Sequence, residues 1–151
     1  SLALSRDADA KVLASGSQMF PGQPGAVLAV RGALIKDHPE VVEAMVAAQR
    51  DATEALRDKA PGAAEAVAKY VSGGRLPLDV VRQALERSRS SFVADPNEIV
   101  EGTVAMRDFQ KAQGTLRDDV DVEKLIDTSF YDRLSAKDGQ GAPAKPDAAA
   151  Q

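Results

Sequence analysis

An unbroken apolar run from Ala26 to Val30 constrains the fold of this chain more than any other feature of its sequence. The run contains no polar residue, so it lacks the alternation of a strand that has one face in water. A short run of this kind is typical of a strand covered on both faces, as in parallel sheets. The sequence therefore predicts a strand that continues to Arg31, with Val27, Leu28 and Val30 buried.

The predicted strand needs neighbouring strands, and the chain offers few of them. Only Lys11–Ser15, on the other side of a loop rich in Gly and Pro, is a second strand candidate. Two strands do not form a stable sheet alone, because their edges stay unpaired and their faces uncovered. We therefore expect the missing strands to precede Ser1, which makes the chain the last part of a larger α/β fold.

From Pro39 onward the apolar residues recur at three- and four-residue steps, the spacing of one helix face. Asp37 or His38 is the expected N-cap of the first helix, since Pro39 suits its first turn. The predicted helices cover Pro39–Leu56, Pro61–Val71, Pro77–Ser88, a stretch between Asp95 and Gly114, a short segment after Asp121, and a last turn from Thr128. The resulting organisation is strand, loop and strand over 1–31, helices over 32–135, and a disordered tail over 136–151.

Composition excludes several classes of function. The absence of cysteine removes disulfides, thiolate nucleophiles and Cys-bound zinc. With 19 Lys and Arg against 23 Asp and Glu, the net charge is −4, and no basic cluster suggests nucleic acid as a partner. No apolar run approaches the roughly 20 residues that span a bilayer. We expect no metal and no cofactor.

Polar groups gather on an irregular backbone between the two predicted strands. Side-chain and backbone donors there suit a small oxyanion such as a sulfonate or a carboxylate. The candidate ligand-binding residues are Ser15, Gly16, Ser17, Gln18, Phe20, Gly22 and Gln23. An ordinary turn, in which these side chains satisfy the local backbone or bind water, is the alternative interpretation, and the sequence leaves it open.

The other polar residues have simpler interpretations. His38 has no neighbouring ligand set and is expected at a helix start, and the carboxylates of Asp118–Glu123 lack the central Gly of a calcium loop and suit helix capping. Arg82, Arg87 and Arg89 either line an anionic cleft or, as is commoner on an amphipathic helix, face water. Gly16-Ser17-Gln18 lacks the flanking pattern of a nucleophile elbow, so we predict that the protein is not an enzyme.

The order of segments resembles a known family. The strand-like Leu13–Gly16, the Pro/Gly loop, Val27–Arg31 and then Ile35–Val42 are similar to the second half of nitrate/sulfonate/taurine-type solute-binding proteins of ABC importers. Later segments that agree are Ala63–Tyr70, Leu76-Pro77 and Asp121–Phe130. The resemblance covers roughly residues 2 to 134, and the succession of segments carries it rather than any single motif.

The resemblance implies the C-terminal part of a type II periplasmic-binding-protein fold, mostly helical here, with two N-terminal strands. It also implies a periplasmic or extracytoplasmic location, a small anionic solute, an ABC permease as partner, and membrane contact only through the permease or an upstream lipid anchor. Two other functions stay open. One is an enzyme resembling the thiamine-pyrimidine-precursor synthases of the same fold family, which the lack of Cys disfavours, and the other is a stand-alone helical interaction module.

Overall fold

The computed structural model describes residue 9 and the ranges 11–71 and 73–141, and helix is the regular secondary structure of these residues. The helices are α1 (Gly16–Met19), α2 (Gly32–Asp37), α3 (Pro39–Arg57), α4 (Ala63–Ala66), α5 (Leu78–Ser88), α6 (Val100–Ala112), α7 (Val122–Leu125) and α8 (Ser129–Gly141). A π-helix, Val67–Val71, continues α4, and the 3-10 turns Arg89–Ser91 and Pro96–Ile99 follow α5 and precede α6.

The predicted α/β fold is wrong for the described part of the chain. Neither Lys11–Ser15 nor Ala26–Arg31 forms a strand there. The side chains of Val27 and Leu28 are exposed, at 67% and 43%, and Val30 is only half-buried. A strand needs a neighbouring strand to satisfy its backbone hydrogen-bonding groups. The described residues provide no such neighbour for residues 26–30, which is the physical reason for the difference.

Helix α3 is the longest described helix and begins as its sequence predicts. His38 occupies the N-cap position and Pro39 the first turn, where a missing N–H costs nothing. Thr53 is buried on this helix, and its hydroxyl donates to the Gln49 carbonyl at 2.7 Å. The helix packs against α2, α4 and α8, so it connects the two ends of the helical region.

Two of the later helical segments begin where the sequence predicts, and each has an aspartate as its N-cap. The Asp95 carboxylate accepts the backbone N–H of Asn97 at 2.8 Å, before the turn that leads into α6. The Asp121 carboxylate accepts the Lys124 N–H at 3.3 Å and so starts α7. Gly114, with φ +68°, follows the end of α6 in the left-handed region, which glycine adopts without a steric cost.

The buried apolar side chains come from four separate helices. Val42, Val81, Val122 and Phe130 are each at most 6% exposed, and the Arg133 guanidinium lies 4.4 Å from the centre of the Phe130 ring. Three of the four are valines, which fits a chain with few aromatic residues. Helix α8 continues to Gly141, past Ala136, where the sequence predicts the tail to begin.

Two ion pairs connect the end of α8 to α3, which explains why the helix continues. Lys137 pairs with Glu43, and Arg50 pairs with Asp138 at 2.5 Å. The rest of the predicted tail, 142–151, lies outside the described residues. No helix in the described ranges combines the length and the apolar character that crossing a bilayer requires.

Candidate functional site

The candidate loop from Ser15 to Gln23 opens with a capping box around α1. The Ser15 hydroxyl accepts the Gln18 backbone N–H at 3.2 Å, and the Ser15 N–H donates to Gln18 Oε1 at 2.8 Å. This reciprocal arrangement satisfies two backbone donors of a helix start. Ser15 and the acceptor atom of Gln18 are therefore committed to local structure, as the alternative interpretation of the loop expects.

Other donors of the loop remain on the surface. Ser17 is exposed, and its hydroxyl lies 3.0 Å from that of Ser15. The amide side chain of Gln23 is exposed and makes no hydrogen bond with the described residues, and the Nε2 group of Gln18 makes none either. Gly16 is open to solvent. The donors that could meet a ligand are thus those of Ser17, Gln18 and Gln23.

The second half of the loop rests on helix α6. Gly22 has φ +71° and lies against the backbone of Gly102, which is buried. A Cβ atom on Gly102 would lie 2.3 Å from both C and O of Gly22 and 2.7 Å from the backbone N of Gln23. The two backbones are therefore closer than any side chain at position 102 would allow.

An aromatic contact joins the same loop to the same helix. The rings of Phe20 and Phe109 meet edge to face, with centroids 5.2 Å apart and planes at 63°. This is a preferred geometry for two aromatic rings. Gly102 and Phe109 are seven residues apart and so share one face of α6. The loop is held at two points on that face.

The donors of the loop lie on an open surface. A shallow concavity of about 460 Å³ does occur in the described structure, but beside α4 and the start of α5, where Glu65, Lys69 and Leu78 line it. None of the predicted site residues belongs to it. An ion pair between Arg82 and Glu65, at 2.6 Å, lies next to this concavity.

Most of the remaining polar candidates have structural partners, and Arg87 is exposed on α5. His38 is exposed, with Nδ1 3.4 Å from Glu40. Arg82 pairs with Glu65, and the Arg89 side chain donates to the Arg57 carbonyl at 2.5 Å. The Lys111 ammonium, hydrogen-bonded at 2.7 Å, holds the pKa of Asp119 below its ordinary value. No group of three His, Asp or Glu side chains in the described ranges is arranged to hold a metal.

Sequence reasoning missed Gly102. A glycine in the first turn of an otherwise regular helix is a poor helix former, and an isolated one often marks a close approach of another backbone. Its spacing to Phe109 was also visible in the sequence. What the sequence could not show was the partner, since Gly22 lies 80 residues earlier in the chain.

No protein-family model matches this chain, and the searches of curated proteins and of solved structures found no similar protein either.

Proposed function

We propose that this protein is the solute-binding component of an ABC importer and takes a small anionic solute, such as a sulfonate or nitrate, at the loop Ser15–Gln23. One observation supports this best: the loop presents exposed neutral donors, yet two contacts with α6 fix its second half. Binding residues are often found on loops that a rigid scaffold positions. The resemblance to that family adds to it through the helical segments, since Leu13–Gly16 and Val27–Arg31 are not strands here.

Neutral donors suit reversible capture of an anion. The Ser17 hydroxyl and the Nε2 groups of Gln18 and Gln23 can each donate to an oxyanion. A hydrogen bond to a charged group contributes about 1.5–3 kcal/mol, so two or three of them hold a solute firmly. Because no covalent bond forms, the solute can be released to a permease in the extracytoplasmic space.

The test is a calorimetric titration of the protein, as the cell makes it, with taurine, an alkanesulfonate and nitrate. Replacing Ser17 and Gln23 by Ala should weaken binding of the solute that titrates by roughly tenfold or more for each bond lost. The matched controls are Ser135→Ala and Gln83→Ala, which change the same residue types at exposed helix positions. Equal affinity in the loop double variant and the control double variant would refute the site.

A second candidate function, a helical interaction module, is favoured by the distribution of exposed apolar side chains. Leu13 is 98% exposed, and Val12, Met19 and Val27 are each more than 60% exposed. The main chain of residues 26–30 also makes no hydrogen bond within the described structure. Sedimentation velocity distinguishes the two candidates, since an interaction module of this kind should self-associate or bind a partner without any added solute.

A further inference from the structure

Gly102 is an unexpected residue for its position. It is the third residue of α6 and is buried, in a turn where alanine would favour the helix more than glycine does. The helix itself therefore gives no reason for a glycine. Its φ is not in the left-handed region either, so backbone conformation does not require it.

The lack of space for a side chain explains why position 102 is a glycine, which backbone conformation does not. Added to Gly102, a Cβ would meet three atoms at 2.7 Å or less, namely C and O of Gly22 and N of Gln23. All three belong to the backbone, so no rotamer change can relieve the contact. The loop would have to move, or the helix would.

The consequence of such a movement falls on the candidate site. The backbone N of Gln23 would lie 2.7 Å from a Cβ atom on Gly102, and the Gln23 side chain is one of the candidate donors. Its N–H also donates to the Phe20 carbonyl at 3.4 Å, which closes the turn between the two contacts with α6. Displacing this turn therefore shifts the Gln23 side chain relative to Ser17 at the start of the loop.

We propose that Gly102 is a positioning residue of the solute site: its missing side chain seats the Gly22–Gln23 backbone on α6 and so sets the spacing of the loop's donors. This inference rests on the proposed function, because it assigns Gly102 a role in the same site. Gly102 itself does not touch the solute.

The experiment compares Gly102→Ala with Gly25→Ala in the whole protein. Gly25 has nothing within 4 Å of its added Cβ and an ordinary φ, so it serves as the matched glycine control. We expect Gly102→Ala to speed hydrogen exchange of the backbone amides of 18–23 roughly tenfold, while amides of α3 keep their protection. Affinity for the titrating probe, taurine, an alkanesulfonate or nitrate, should fall roughly tenfold or more. Gly25→Ala should change neither quantity.

A second variant releases the loop at its other contact with α6, so it tests whether the site depends on the held loop even if Gly102→Ala does not fold. Phe109→Leu removes the ring contact with Phe20 without creating a clash, and it should also speed exchange of the loop. Where Gly102→Ala does fold, its exchange effect and that of Phe109→Leu should be less than additive in the double variant, because either change alone releases the loop. A residue with an independent, purely structural role would give additive effects.

The outcomes separate this inference from the proposed function. If the unaltered protein binds none of the probes, the proposed function fails and the positioning role fails with it, although exchange still decides whether Gly102 seats the loop. If the protein binds a probe and Gly102→Ala, folded, matches Gly25→Ala in affinity, the positioning role alone is overturned. If neither Gly102→Ala nor Phe109→Leu changed the hydrogen exchange of residues 18–23, the idea that these contacts hold the loop on α6 would be overturned.

Discussion

The helical region from α2 to α8 buries several of its apolar side chains, whereas the segment 11–31 buries none. In the helical region, four apolar side chains from different helices are buried, namely Val42, Val81, Val122 and Phe130, while others such as Tyr70 and Leu125 stay exposed. In the segment 11–31, similar side chains stay on the surface, and α1 contributes no buried residue. The two regions are not distinguished by having or lacking apolar residues. They are distinguished by whether the packing partners that those residues need are present in the structure.

The difference shows what a local pattern can specify. An amphipathic helix completes its backbone hydrogen bonds within itself and needs only one face covered. An apolar extended run needs another strand for its backbone and cover for both faces. Neighbouring helices meet the first requirement in 32–138, whereas nothing in the described structure meets the second for Ala26–Val30.

The largest expected effect tests whether burial alone distinguishes the two regions. Phe130→Ala should lower the free energy of unfolding by about 3 kcal/mol, because it empties a site where the ring is 6% exposed. Leu13→Ala, at a side chain 98% exposed, should change it by less than about 0.5 kcal/mol. Urea unfolding followed by circular dichroism measures both. A comparable loss in the two variants would mean that Leu13 is covered in solution.

The next effect concerns one of the two points where the segment 11–31 contacts α6, the approach of Gly22 to Gly102. Gly22→Ala places a Cβ on a residue with φ +71°, which should cost about 1–2 kcal/mol. Gly25→Ala, with no such φ and open space around it, is the control and should be neutral or slightly stabilising. Urea unfolding and hydrogen exchange of residues 16–23 give the measurement. Equal behaviour of the two variants would show that the loop does not depend on this conformation.

The same contrast explains how much of the fold the sequence predicts. The starts at Asp95 and Asp121 were predicted because a cap and its N–H partner lie within three residues of each other, and the start at Pro39 because proline suits the first turn of a helix. The strand Ala26–Arg31 was predicted wrongly because an apolar run shows that a strand would need a neighbouring strand, but not whether the chain provides one. Helix α2 was not predicted as a separate element, since its six residues are too few for a clear period.

The same distinction between local and distant contacts decides how much of the candidate site the sequence predicts. The capping box of Ser15 and Gln18 has the local spacing of Ser and Gln three residues apart, and the sequence alone shows it. The seating of Gly22 on Gly102 joins residues 80 positions apart, which no window of sequence can reveal. The sequence therefore predicts where the polar loop lies but not what holds it.

A smaller loss of stability is expected from removing a helix N-cap, and the loss should differ between the two regions. Asp95→Ala should lower the free energy of unfolding by about 1 kcal/mol, because the Asn97 N–H loses its acceptor at the start of the turn leading to α6. Asp95→Asn keeps an acceptor and is the control. Ser15→Ala removes a cap from the four-residue helix α1, which buries nothing, so its effect on global unfolding should be below about 0.5 kcal/mol. An equal loss for both caps would show that α1 unfolds together with the helical region.

The smallest effect is the pH dependence of the ion pairs, and it should be confined to the helical region. Hydrogen bonds from Lys137, Lys59 and Lys111 lower the pKa of Glu43, Glu86 and Asp119, respectively. For Glu65, a hydrogen bond from its own backbone N–H is the main cause and one from Arg82 the next. All four carboxyl groups belong to the region between α2 and α8.

The sign follows from the lowered pKa values. The unfolded chain, with ordinary values of 4.5 for Glu and 3.8 for Asp, binds these protons more readily than the folded chain. The contribution to stability is therefore present above those values and is lost as the pH falls through the lowered pKa values. Glu65, Glu86 and Asp119 are exposed and Glu43 is half-buried, so the change should be small and should shrink in high salt. Melting temperatures between pH 6 and pH 3, with Glu86→Gln as a variant of reduced slope, measure it, and exchange of residues 16–23 should not follow that slope. A slope that Glu86→Gln leaves unchanged would mean that the pairing of Glu86 with Lys59 does not contribute to the pH dependence. A loop that loosens in parallel with the slope would mean that the two regions are coupled through charges and not only through the contacts at Gly102 and Phe109.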